Sequence, residues 1–175
     1  MKLPLRILFA VAALAVVSFN SSAQTYNYRE KGYKGSFSLT DHYGVFVGIE
    51  TSHGYMFDRH NYLGVGIGGF VFPNSSHPTF VDAFLDYQNY LRDKSSTPVL
   101  GIKTGFMHGF NYDENVNIKI RNAVFVEPNV GWSWGLKSGK GLTLGLGATM
   151  IIPVDDSRAD KKVLPMPKLS FSFEF

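Results

Sequence analysis

A glycine run from Gly64 to Gly69 matches the G-x-G-x-x-G fingerprint of dinucleotide-binding loops. That fingerprint works only where a helix follows, because the helix N-terminus holds the pyrophosphate. Here Phe70 to Phe72 continue an extended apolar pattern as far as Pro73. We therefore predict strand glycines that make room for bulky neighbours such as Phe84 and Tyr90, and no nucleotide site.

A second candidate is a nucleophile beside a base, as in enzymes that modify lipids. Ser52 and His53 stand close to Glu50 in the sequence. Adjacent residues of a strand point to opposite faces, so Ser52 and His53 should not hydrogen-bond to each other. We predict a protein that is not an enzyme, and an outer-membrane lipid hydrolase or transferase remains an alternative.

Metal chemistry has little support in the sequence. The chain has no cysteine, and its five histidines lack the H-E-x-x-H spacing of zinc enzymes. We predict no metal and no other cofactor, with most histidines on turns or rims. These histidines are His42, His53, His60, His77 and His108.

Charged side chains form the third group, because they occupy the polar positions of alternating segments. If the segments close into a barrel, these charges face its interior, where unpaired charge is costly unless water reaches it. We expect a salt-bridge network, with Lys34 as a further partner, and keep an ion path as the alternative. The predicted lumen charges are Glu50, Asp82, Asp86, Lys103, Glu127, Lys168 and Glu174.

The elements that would position these residues are strands, since apolar and polar residues alternate with period two from Tyr33 onward. Such segments predict an all-β fold, an eight-stranded antiparallel up-and-down transmembrane β-barrel. A very short connection at Asp41 and His42 separates the first two strands. The segments are approximately Tyr33 to Thr40, Tyr43 to Phe57, Tyr62 to Phe72, Thr79 to Leu91, Pro98 to His108, 124 to 136, 141 to 152 and 168 to 175.

The connections differ in length in an ordered way. Three are tight and polar, at Asp58 to Asn61, Arg92 to Thr97 and Lys137 to Lys140, whereas Gly109 to Ile120 and Val154 to Met166 are long. Outer-membrane barrels keep short turns in the periplasm and long loops outside. With both termini in the periplasm, all three tight connections fall on the periplasmic side.

The first 23 residues have the three parts of a secretory signal peptide. Lys2 and Arg6 precede an apolar run from Ile7 to Val17, and small residues lead to a cleavage site after Ala23. The run is shorter than the ~20 residues that a transmembrane anchor needs. We predict a signal peptide at 1–23, an N-terminal periplasmic segment at 24–32 and the barrel domain at 33–175.

Net charge points away from nucleic acid. Lysine and arginine total 17 against 14 acidic residues, but two of the basic residues lie in the leader. Alternation alone does not separate a membrane barrel from a secreted, lipocalin-like binder with an apolar core, which remains an alternative. A predicted aromatic girdle of Tyr55, Phe57, Trp132 and Trp134 favours the membrane.

The last strand, Leu169 to Phe175, resembles the C-terminal signal of outer-membrane proteins. In those families the barrel-assembly machinery reads this signal, which implies such a role here for Phe171, Phe173 and Phe175. The hairpin from Ser52 to Phe57 and on to Leu63 to Gly66 is similar to one in small barrels of the porin-like, OmpX/OmpA-type superfamily. That resemblance implies an eight-stranded antiparallel barrel and no agreed activity.

The interior of an eight-stranded barrel is just wide enough for side chains to fill it. We therefore expect a non-enzymatic integral outer-membrane barrel, a monomer, with a structural or surface-interaction role. Its partners would be outer-membrane lipid, the barrel-assembly machinery during insertion and an extracellular ligand whose identity stays open. A narrow outer-membrane pore is the alternative.

Overall fold

The computed structural model describes residues 29–71, 80–110, 121–136, 139–154 and 163–175. Eight strands, each antiparallel to its neighbours, close into one barrel in sequence order, which confirms the predicted architecture. None of the described residues forms a helix long and apolar enough to cross a membrane. The strands are β1 Gly32–His42, β2 Phe46–Met56, β3 Asn61–Val71, β4 Phe80–Tyr90, β5 Ser96–Gly109, β6 Asn122–Gly135, β7 Gly141–Pro153 and β8 Leu164–Glu174.

The alternating sequence places its apolar side chains on the outside of the barrel. Val65, Ile67 and Leu146 are each more than 60 % exposed, at 61 %, 63 % and 61 %. Their strand neighbours turn inward, since successive side chains point to opposite faces. This arrangement is the reverse of a lipocalin-like barrel, whose apolar face fills its core.

We call the end with residues 29 and 175 and the connections 57–60 and 91–95 the turn end, and the opposite end the loop end. Inside the barrel, an aromatic layer lies towards each end. The loop-end layer is Phe46, Phe70, Phe80, Phe84, Met107 and Phe125, and the turn-end layer is Met56, Tyr62, Tyr90 and Val99.

The glycine run serves packing, as predicted for Phe84. A Cβ at Gly66 would meet the Phe84 ring and would lie 2.6 Å from the Thr51 carbonyl oxygen. Tyr90 differs from the prediction that strand glycines make room for it. Its ring is covered by two cations, with Arg29 Cζ at 4.4 Å and Lys34 Nζ at 4.2 Å from the centroid.

The first hairpin corrects the predicted connection at Asp41 and His42, because both residues belong to β1. The turn is Tyr43 to Val45, with Tyr43 and Gly44 at φ of 54° and 71°. Val45 N donates to His42 O at 3.0 Å, and Gly44 N donates to the Asp41 carboxylate at 2.7 Å. The aspartate therefore acts from the strand end as the acceptor that holds the turn.

Two strands begin earlier than their sequence patterns indicate. β8 starts at Leu164, although the prolines at 165 and 167 favour a loop. β5 starts at Ser96, within the segment assigned to a turn. The central parts of the predicted loops, 111–120 and 155–162, lie outside the described residues.

Candidate functional site

An ion-pair network crosses the barrel interior. Lys103 on β5 donates to Glu50 Oε2 on β2 at 2.5 Å, although the two strands are not neighbours. Lys168 on β8 binds the other Glu50 oxygen and also both carboxylate oxygens of Glu127 on β6, at 2.9 Å each. Four strands are thus joined through four buried side chains, which we call the central network.

The central network continues to the loop end through two polar side chains. Thr149 Oγ1 donates to Glu127 Oε2 at 2.8 Å and lies 3.3 Å from His42 Nε2. Because Thr149 gives its hydrogen to Glu127, it accepts the hydrogen on His42 Nε2. In the neutral imidazole, His42 Nδ1 is then an acceptor, and within the described part of the chain this buried atom has no partner.

A second cluster fills the turn end. Lys34 Nζ pairs with Glu174 Oε2 at 3.3 Å and also contacts the Tyr90 hydroxyl. The Tyr90 hydroxyl and Thr143 Oγ1 both donate to Glu174 Oε1, at 2.9 and 2.7 Å. This cluster links β1, β4, β7 and β8, so the charges predicted for the lumen divide between two layers.

Arg29 is a residue that sequence reasoning did not single out. It precedes β1, in the segment predicted to be periplasmic, yet its side chain enters the turn end of the barrel. Its guanidinium donates to Ser133 Oγ at 2.8 Å and to the Lys94 carbonyl at 2.9 Å. Burial lowers the Arg29 pKa, an effect opposed by the negative charges of Glu174 and Asp93. No sequence motif marks such a residue, because its partners lie on distant strands.

Asp82 and Asp86 are the least paired of the buried charges. Asp86 Oδ2 accepts from Gln88 Nε2 at 3.0 Å. The Oδ1 atom of each aspartate has no partner among the residues that the structure describes. All seven residues predicted as lumen charges are nonetheless buried, at 9 % exposure or less.

Ser52 and His53 lie on opposite faces of β2, as the alternation predicts. Ser52 Oγ is inside the barrel, 2.8 Å from the Tyr62 hydroxyl. His53 is outside, with Nδ1 2.6 Å from the Tyr33 hydroxyl and Nε2 3.0 Å from Thr51 Oγ1. The two side chains therefore do not form a nucleophile and base pair.

The histidines have individual roles rather than a common one. His60 lies in a turn, with Nδ1 2.6 Å from the Tyr90 carbonyl oxygen, and His108 Nδ1 lies 2.7 Å from Asn122 Oδ1. His42, His53 and His108 belong to strands, with His42 the last residue of β1 and the His53 ring against Phe175 at the turn end. His77 lies outside the described residues, within which no cluster of three metal-ligating side chains occurs.

The four residues of the predicted girdle lie at the turn end, two of them on or just after β2 and two on β6. Tyr55, Phe57 and Trp132 are exposed and Trp134 is half-buried. Trp132 Nε1 donates to Ser96 Oγ at 2.6 Å, which satisfies the polar atom of that ring. The C-terminal aromatics belong to the same outer surface, with the Phe173 and Phe175 rings stacked at 6.2 Å.

The fold is similar to that of solved membrane barrels. The N-terminal β-barrel domain of Pseudomonas aeruginosa OprF matches with a TM-score of 0.57 and 11 % identity, over 83 % of this chain and 98 % of that one. Neisserial surface protein A matches with 0.56 and 11 %, over 82 % and 92 %. The outer membrane protein AlkL, solved in lipid bilayers, matches with 0.53 and 12 %, over 90 % and 95 %.

Sequence comparison adds nothing to that likeness. No protein-family model matches the chain, and no curated protein matches it. Identities of 11 % and 12 % show a shared fold alone.

Proposed function

From the eight-stranded barrel fold that this chain shares with small outer-membrane proteins of the OmpX/OmpA type, we propose that it is an integral protein of the bacterial outer membrane. It is a non-enzymatic barrel with a structural or surface-interaction role. The exposed apolar face supports this location, because a soluble protein rarely exposes so continuous an apolar surface. Closure of the sheet satisfies the backbone groups that lipid cannot.

The central network is the observation that best supports a plugged, non-conducting barrel. Across the interior, Lys103 lies 2.5 Å from Glu50, Lys168 lies 2.9 Å from both carboxylate oxygens of Glu127, and Lys168 also contacts Glu50. An aromatic layer covers the network towards each end of the barrel. A general diffusion path would require these ion pairs to separate, which leaves buried charges without partners.

Planar-bilayer recording of the purified, folded barrel tests this function. We expect no stepwise conductance from protein whose heat-modifiable gel migration shows that it is folded. The double variant Glu50→Ala, Lys168→Ala removes the centre of the plug and should conduct if it folds. Arg59→Ala, at an exposed turn, is the matched control and should stay silent. Regular conductance steps from the unchanged protein would contradict the plugged barrel.

A narrow pore is the second candidate, and Asp82 and Asp86 favour it. Each has a buried carboxylate oxygen without a partner in the described structure, which is costly unless water or an ion reaches it. If these residues line a path, conductance of the unchanged protein should be cation-selective. Asp82→Asn and Asp86→Asn should then reduce that selectivity.

Export follows from the same proposal. The precursor would lose residues 1–23, and the mature chain would begin at Gln24. Its partners would be outer-membrane lipid, the assembly machinery and an extracellular ligand, and it would work as a monomer. N-terminal sequencing of protein recovered from the outer-membrane fraction checks both cleavage and location. Recovery in the soluble periplasmic fraction would contradict the proposal, and an altered lipid A profile on gene deletion would favour a lipid-modifying enzyme.

A further inference from the structure

A small apolar cavity lies at the loop end of the lumen, directly above the central network. Its volume is about 50 Å³. Side chains from seven strands line it, and all but one of them are apolar. The lining residues are His42, Phe46, Phe70, Phe80, Met107, Ile151, Leu164 and Met166.

His42 is the exception in this lining. The imidazole is only 4 % exposed and packs edge-on against Phe70, with ring centroids 5.0 Å apart. Its Nε2 is bound to Thr149, while Nδ1 has no partner among the described residues. An unpaired buried acceptor costs free energy that a bound donor would recover. The cavity therefore combines apolar walls with one unmet demand for a hydrogen-bond donor.

The barrel wall beside this cavity has a free edge. The β1–β8 pairing runs from Ser36 with Glu174 to Asp41 with Leu169, whereas β8 begins five residues earlier, at Leu164. Gly35 and Phe175 exchange backbone hydrogen bonds, so the odd-numbered residues of β8 direct their backbone groups towards β1.

Residues 165 and 167 are therefore the positions whose N–H groups would face the free edge. Both are prolines, which have no N–H to leave unpaired. Leu164, which lines the cavity from this edge, is 40 % exposed. Among the described residues, no strand pairs with this stretch of β8 on its β1 side, and the two prolines leave no unpaired N–H there. The cavity lies beside this stretch.

We propose that this cavity binds the hydroxyl end of an aliphatic alcohol, with the hydroxyl donating to His42 Nδ1. The cavity has about a third of the roughly 150 Å³ of an engineered cavity that binds benzene, so a phenyl ring does not fit. The hydroxyl and the first carbons of a chain fit against the apolar walls, and the rest of the chain would leave past Leu164. A ligand without a donor fills the same space but leaves His42 Nδ1 unpaired.

Methionine methyl NMR of the folded barrel in lipid nanodiscs can test the site with 1-butanol. Met107 and Met166 line the cavity, Met56 lies in the turn-end layer and Met150 is exposed on the outer face. We expect saturable shifts at Met107 and Met166, with little change at Met56. Diethyl ether has the same atoms but no donor, so it should bind roughly 2- to 10-fold more weakly, the value of one hydrogen bond.

Two variants separate the site from general partition into lipid. His42→Phe keeps an aromatic ring and removes the acceptor, so it should abolish the preference for butanol over ether. Leu164→Phe leaves His42 in place and narrows the cavity, so it should weaken both ligands. If His42→Phe does not fold, the Leu164→Phe variant alone tests whether the ligands bind in the cavity.

Some outcomes would overturn the proposal. These are equal, unsaturable shifts at all four methionines, no preference for butanol over ether, and ligand shifts that Leu164→Phe leaves unchanged. The test requires only the folded barrel and is read without any conductance measurement. Its failure would therefore leave the plugged outer-membrane barrel standing, and a conducting barrel would leave this site standing.

Discussion

Gly35 and Phe175 exchange two backbone hydrogen bonds, of 2.7 and 2.9 Å, so Phe175 helps to close the barrel against β1. The Phe175 ring also lies against Gly35. A Cβ at Gly35 would lie 2.6 Å from Phe175 Cε2, and the Phe175 ring meets His53 edge-on at 6.2 Å. The Phe175 ring therefore occupies space that is free because Gly35 has no side chain.

Gly35→Ala should destabilise the closed barrel by about 1 to 3 kcal/mol, because the added methyl group displaces the Phe175 ring. Gly69→Ala is the matched control, since a Cβ there has as its nearest neighbour the Phe80 carbonyl oxygen at an ordinary 3.8 Å. Urea unfolding in lipid vesicles, followed by tryptophan fluorescence, compares the two. Equal stability of the two variants would contradict a specific role for the space at Gly35.

Deletion of Phe175 should lower the amount of barrel in the outer membrane, because it removes both backbone bonds to Gly35 and the terminal aromatic ring. Phe175→Ala keeps the backbone bonds and removes only the ring, so it separates closure from recognition by the assembly machinery. Heat-modifiable migration in outer-membrane fractions measures both. Normal levels of the truncated protein would refute the assembly role assigned to Phe175.

The strand pattern could be predicted from the sequence because lipid and lumen impose opposite demands on successive side chains. The sequence could not predict which charged side chains pair with each other inside the barrel. Lys103 reaches Glu50 across the interior rather than from a neighbouring strand, and that meeting depends on the stagger of the closed barrel. No local pattern in the sequence encodes this stagger.

The predicted strand boundaries are wrong where a residue type is compatible with both a strand and a turn or loop. Asp41 was assigned to the turn itself, but it ends β1 and accepts the Gly44 N–H from there. Pro165 and Pro167 indicated a loop, but a strand tolerates proline where its N–H would face an uncovered edge. Both errors come from long-range pairing, which decides what a local signal means.

Lys168→Met should destabilise the barrel strongly, by about 3 to 5 kcal/mol, because it leaves Glu50 and Glu127 buried without the cation that they share. Arg59→Ala breaks the Arg59–Asp93 ion pair at 2.7 Å, which is about half exposed, and should cost no more than about 1 kcal/mol. Urea unfolding of both variants gives the comparison. Similar losses in the two variants would show that Lys168 has no special role in the central network.

Asp58 should titrate below its ordinary pKa of 3.8, because three hydrogen bonds favour its charged form. The largest effect on this pKa comes from the Asn61 side chain, at 2.8 Å, followed by the backbone N–H groups of His60 and Asn61, at 2.7 Å each. A folded-state pKa below the unfolded one means that the charged carboxylate stabilises the β2–β3 turn above pH 3.8. That stabilisation is lost as the pH falls through the folded pKa.

Carboxyl ¹³C NMR across pH 2 to 6 measures the Asp58 pKa directly. Asn61→Ala removes the largest of the three contributions and should raise the Asp58 pKa towards 3.8, while the two backbone donors hold it somewhat below. An Asp58 pKa that does not respond to Asn61→Ala would contradict the assigned cause.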